Sequence, residues 1–93
     1  MVVGVLRVVL SIPGSMSLKD KRHVVKSLLD TARNRFNASA AEIDCLDSHR
    51  RAEIAFACVS NDRAVANTLL NKILDRINSN PLCEVEDSSL ELI

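Results

Sequence analysis

Two stretches of this chain, Val2–Ile12 and Ala52–Ser60, are apolar at odd and even positions alike, and each runs into a helix-start signal. A strand with one wet face alternates apolar and polar residues, so strands apolar on both faces belong in the middle of a sheet. In the first, Leu6, Val8, Leu10 and Ile12 line one face and Val3, Val5, Arg7 and Val9 the other. In the second, Ile54, Phe56 and Cys58 oppose Ala55, Ala57 and Val59. Pro13-Gly14 ends the first strand. Ser17 then opens an S-x-x-D pattern with Asp20, in which a side-chain oxygen meets the free amides of a helix start. At about 100° per residue, Val25, Leu28, Leu29, Ala32 and Phe36 share an arc suited to lying on a sheet, and Asn37 suits the exit. Ser60-Asn61-Asp62 caps a second helix with an apolar stripe of Val65, Ala66, Leu69, Leu70, Ile73, Leu74 and Ile77, which Asn80-Pro81 stops.

Between them, Ala40–Leu46 reads as a strand joined to Ala52–Ser60 through the polar loop Asp47–Arg51, in a register that sets Cys45 opposite Ala52. Leu82–Ile93 reads as a last strand, with Asp87-Ser88-Ser89 suggesting a bulge or break. Strand, helix, strand, strand, helix, strand is the split βαβ order. The expected fold is therefore α+β: a ferredoxin-like βαββαβ sandwich over residues 1–93, with a four-stranded antiparallel-type sheet of order 4-1-3-2 and both helices on one face. From the right-handed crossovers, the first and third strands are expected side by side and parallel in the centre.

The chain is 47% apolar and 26% charged, the balance of an ordinary folded domain. Phe36 and Phe56 are its only aromatic residues, which removes binding schemes built on stacked rings. Cys45, Cys58 and Cys83 are odd in number and lack CxxC spacing, so free buried thiols in a reducing compartment are expected. The apolar opening carries Arg7 and meets Pro13-Gly14 without a basic leader or cleavage pattern, and no run reaches membrane-spanning length. A cytoplasmic location is expected, with no membrane partner.

The segments SLKDKRHVVKSLL (Ser17–Leu29), AEID (Ala41–Asp44) and VSND (Val59–Asp62) together resemble the YlxP-like family, also called domain of unknown function 503. The resemblance covers essentially the whole chain. It implies a small bacterial protein of ferredoxin-like fold. Genes of that family often neighbour those of transcription and translation factors, including a ribosome-binding factor, and the resemblance implies no particular reaction. His49 stands in the hairpin loop where the family often carries an aromatic, commonly Trp.

If the central strands are parallel, Pro13–Ser17 and Ser60–Asp62 share one rim, where two helix starts present free amides to an anion. Ser15, Ser17 and Asn61 would line it. Lys19, Lys21 and Arg22 sit in the first turns of the first helix, against its dipole, and a bound anion would offset that cost. Lys19, Arg22, Lys26 and Arg33 fall within about 60° of one another. From Ser17 to Phe36 there are six Lys or Arg against Asp20 and Asp30, in a chain of zero net charge. The final segment reverses this with Glu84, Glu86, Asp87 and Glu91. These features outline a surface for a phosphate backbone, as in structured RNA or a ribosomal particle.

The remaining constellations are weaker. Asp44, Cys45, Asp47 and His49 match no metal spacing, and a polar hairpin loop accounts for them, so no metal and no cofactor are expected. His23 has no carboxylate at helical spacing to orient it as a base. Arg22 and Asn61 could imitate the phosphate-handling pair of acylphosphatases, which share this topology, but that family's glycine-rich loop is missing; no catalytic residue is assigned.

Helices cover one face of the sheet. The other would display Val3, Val5, Arg7, Val9, Ala55, Ala57 and Val59, a patch unusual on a monomer and suited to an isologous homodimer; the alternatives are a different protein docking there and a face shielded by Arg7, Glu53 and the long side chains of the edge strands. The leading expectation is a non-enzymatic RNA- or ribosome-binding accessory protein; the alternatives are a homodimeric interaction module and a phosphate hydrolase.

Overall fold

A computed structural model describes all residues, Met1–Ile93. The elements are β1 (Val2–Ser11), α1 (Leu18–Phe36), β2 (Ser39–Asp44), β3 (Arg51–Ser60), α2 (Arg63–Asn78) and β4 (Glu84–Leu92). One sheet, in the order β2-β3-β1-β4, carries both helices on one face, the ferredoxin-like arrangement. The caps form as the sequence predicts. Ser17 Oγ accepts the Asp20 amide, Asp62 Oδ1 accepts the Ala64 amide, and Asn37 closes α1 in the left-handed region at φ 51°.

The alternation of strand residues puts Leu6, Val8, Leu10, Ala52, Ile54 and Phe56 under the helices, and all six are buried. Val25, Leu28, Leu29 and Ala32 of α1 and Ala66, Leu70, Ile73 and Ile77 of α2 close over them. Val65, placed on the apolar stripe by periodicity, is 55% exposed. Gly4 also faces the helices. A Cβ there would stand 2.8 Å from Leu70 Cδ1 and 3.2 Å from Cys58 Sγ, so the missing side chain is what lets α2 seat closely on β1.

The direction of the central strands differs from the sequence-based expectation. β1 and β3 pair antiparallel, from Val2↔Ser60 to Ser11↔Arg51. The reason is topological. Each right-handed crossover joins parallel strands that are next-nearest neighbours, β1 to β2 across β3 and β3 to β4 across β1, and the β2–β3 hairpin then forces β3 against β1. Helix α1 consequently leaves the sheet at the Ser11 edge and α2 at the Ser60 edge. Those edges lie about 30 Å apart along the strands. The shared rim of two helix starts does not exist.

Two bulges adjust the edge strands. Between Glu42↔Ile54 and Asp44↔Glu53 the register slips at Ile43, and between Val85↔Leu10 and Asp87↔Val9 it slips at Glu86, just before the Asp-Ser-Ser segment marked in the sequence. Strand β2 stops at Asp44, short of the expected Leu46, because Cys45 turns into the left-handed region at φ 61°.

Candidate functional site: two sheet faces and a helical groove

At the start of α1, Ser15 and Lys21 turn inward. Ser15 is 2% exposed and its hydroxyl donates to the Ser17 carbonyl, while Arg50 Nε donates to the Ser15 carbonyl from the hairpin. Lys21 has no exposed surface. Its ammonium lies 2.7 Å from Glu42 Oε2 and donates to the carbonyls of Cys45, Leu46 and Arg51 at 2.9, 3.3 and 3.4 Å. The cation that looked misplaced at a helix N-terminus is thus neutralised by Glu42 and tied to the hairpin loop. It offers nothing to an external anion, and neither does Ser15. Periodicity could have flagged Lys21, which falls one turn before Val25 on the buried side of α1.

The outer stripe divides. Lys26 and Arg33 both reach Asp30, at 2.7 and 3.5 Å, and Arg33 Nη2 also donates to the Ala40 carbonyl of β2 at 2.6 Å. The hydrogen bond from Lys26, helped by the nearby Lys26 and Arg33 charges, holds the Asp30 carboxyl below its usual range. Lys19 and Arg22 are exposed and enter none of the chain's ion pairs. Ser17 is occupied as the cap. Asn61 follows β3 at the far edge, so it meets neither this stripe nor Arg22, and the phosphate-handling pair does not assemble. No three His, Cys, Asp or Glu side chains converge as metal ligands.

On the helix-free face, Val3, Val5, Ala55 and Ala57 are half-buried and Val59 is 70% exposed. Ala41 stands opposite Ala55 and continues the patch onto β2. Arg7 spans the middle of the face, 3.1 Å from Glu53 and 3.7 Å from Asp87. Both carboxylates belong to the register partners of Val9, so the bridge arches over that residue and leaves it 8% exposed. Val9 is therefore covered, and the open apolar surface is concentrated at the Val3–Val5 end.

Sequence reasoning missed the seam between the helices. They run antiparallel across the sheet, and a cavity of about 630 Å³ opens between them around Leu28, Phe36, Ile73, Ile77 and Leu82. A groove of this kind needs both helices in place, and no single motif encodes it.

Comparison with known proteins agrees with this architecture. The family described as protein of unknown function (DUF503) matches residues 3–90. The uncharacterized protein YlxP of Bacillus subtilis (strain 168) is 38% identical over 68 residues, 73% of this chain and 74% of that protein. Among solved structures, the structural-genomics protein YJCS superposes with TM-score 0.56 at 17% identity, covering 96% of each chain. A dimeric ferredoxin-like protein from an uncultured marine organism gives TM-score 0.56 at 12% identity, covering 100% of this chain and 96% of that one. A de novo designed protein with a ferredoxin fold gives 0.51 at 13%, covering 100% of this chain and 83% of that one. The structural likenesses establish the fold, and the sequence match over nearly the full length establishes kinship: this chain belongs to the DUF503 family.

Proposed function

We propose that this protein is a non-enzymatic interaction module that self-associates as an isologous dimer through the helix-free face of its sheet. The observation that carries the reading is the patch formed by Val3, Val5, Ala55, Ala57 and Val59, backed by Ala41. The small alanines of β2 and β3 let a second sheet approach to about the 10 Å spacing of packed sheets. In the middle of the face Arg7 arrives already paired with Glu53 and Asp87, while Glu91, the β4 partner of Val5, enters no ion pair and has to stay at the wet rim of a symmetrical contact. A sheet of this width and strand length presents on the order of 600 Å² in projection. That approaches the roughly 800 Å² each partner buries in an interface of standard size once side-chain relief is included. The ferredoxin-like protein from the uncultured marine organism, itself dimeric, has the same fold. Sedimentation tests the reading: the wild type runs as a dimer at micromolar concentration and Val5→Asp as a folded monomer, whereas a wild type that stays monomeric overturns it.

A second reading rests on Lys19 and Arg22, exposed and without acidic partners on the outer side of α1. Together with Lys26 and Arg33 they form the contact for a phosphate backbone such as structured RNA or a ribosomal particle. Replacing Lys19 and Arg22 by Glu then weakens binding to purified ribosomal subunits and lowers the salt slope by roughly 0.7–0.9 for each phosphate no longer neutralised. Association that is insensitive both to salt and to these changes counts against it.

A further inference from the structure

The groove between α1 and α2 is longer than a single cavity. A second hollow of about 610 Å³ opens around Phe36, Val65 and Leu69, and Phe36 and Lys72 line both, so the two adjoin along the seam. Its ends carry exposed apolar side chains, Val65 at 55% and Leu82 at 60%. Arg35 stands on the α1 bank, and Lys72 and Arg76, one turn apart, stand on the α2 bank. None of these three cations enters an ion pair. Asp75 is the one acid along it.

An apolar floor between two antiparallel helices accepts a third helix, whose ridge of side chains drops into the seam. Charges on both banks select the polar flanks of that helix. We propose that this groove receives an acidic amphipathic helix from a partner protein, with its apolar ridge on Phe36, Leu69, Ile73 and Leu82 and its carboxylates against Arg35, Lys72 and Arg76. From Val65 to Ile77 the bank rises about 18 Å, the length of three to four helical turns. A fatty carboxylate fits less well, because its single head charge would use one of three spaced cations and the groove is open to solvent along its length. A nucleic acid would meet an apolar floor with Phe36 as its one aromatic side chain. The site lies on the opposite side of the sheet from the proposed dimer contact, so the two can be occupied together.

The test uses a displayed library of helical peptides of about fourteen residues, with apolar residues fixed at i, i+3, i+7 and i+10 and the flanking positions randomised among Glu, Lys, Gln and Ser. Selection on the full chain should enrich Glu at the flanks. The winning peptide should shift backbone resonances of Phe36, Leu69 and Ile73 and lose about tenfold or more in affinity for the Lys72→Glu, Arg76→Glu variant. The same library selected on that variant should turn from Glu to Lys. Failure to enrich any peptide overturns the proposal. So does enrichment without charge bias, or binding that perturbs the open sheet face or the Lys19–Arg22 surface instead.

Discussion

Lys21 Nζ lies 2.7 Å from Glu42 Oε2 with no part of the lysine exposed, so α1 is pinned to edge strand β2 by a buried charge. The same ammonium meets three carbonyl oxygens of the hairpin that joins β2 to β3. This one side chain fixes the position of the Cys45–Arg51 loop against the start of α1.

Removing it should be costly. Lys21→Met leaves Glu42 without its cation and takes one hydrogen bond from each of three carbonyls, of which Cys45's keeps the Ser48 amide, and the expected loss is about 3 kcal/mol or more in denaturant unfolding. Adding Glu42→Leu removes the stranded carboxylate but cannot restore the carbonyl partners, so the double variant should recover part of the loss and remain below wild type. Full recovery would show that the ion pair alone matters and the loop hydrogen bonds do not.

Gly4 is required by space, not by backbone conformation. Gly4→Ala drives a methyl toward Leu70 Cδ1 at 2.8 Å, with Cys58 and Leu92 closing the other sides, and should cost about 1–3 kcal/mol. Leu70→Val in the same chain should return part of that loss, a non-additivity that thermal unfolding of wild type, both single variants and the double variant measures.

Cys45 occupies the left-handed region at φ 61°, with its amide held by Asp44 Oδ1 and its carbonyl by Lys21. Cys45→Gly relaxes this backbone at no steric cost and should leave stability unchanged or raised. Cys45→Val, β-branched, should lower it by about 1–2 kcal/mol, as a shifted denaturant midpoint. Equal midpoints for the two variants would contradict the assigned geometry.

Burial pushes the Cys83 thiol above its ordinary range, and its Sγ donates to the Ile77 carbonyl at 3.7 Å. The folded state therefore favours the neutral thiol, and its contribution is fully present below the unfolded pKa. As pH rises above about 8.5 the unfolded chain ionises first and stability falls. Wild type should lose more stability between pH 8 and 10 than Cys83→Ala, and alkylation should reach the half-exposed Cys45 and Cys58 before Cys83.

The fold was legible wherever one local rule acted alone. The caps at Ser17, Asn37 and Asp62, the two-faced strands and the split βαβ order all follow from short-range chemistry. What misled was a step of geometry. Parallel strands in this topology are separated by an intervening neighbour, and treating β1 and β3 as parallel brought Ser17 and Ser60 to one rim when they lie at opposite edges. Lys21 and Val9 were misread for a different reason. Each cover depends on residues distant in sequence, Glu42 and the hairpin in one case and in the other Glu53 and Asp87, which hold Arg7 over the valine, and a one-dimensional pattern does not show which of these meet.

The claim that two copies meet through their sheets is tested most directly by isotope-filtered NMR on a mixture of labelled and unlabelled chains. Magnetisation should cross between copies at the methyl groups of Val3, Val5 and Val59, and those cross-peaks should vanish in Val5→Asp. Intermolecular cross-peaks confined to the helical layer, or none at concentrations where the protein is homogeneous, would contradict the account.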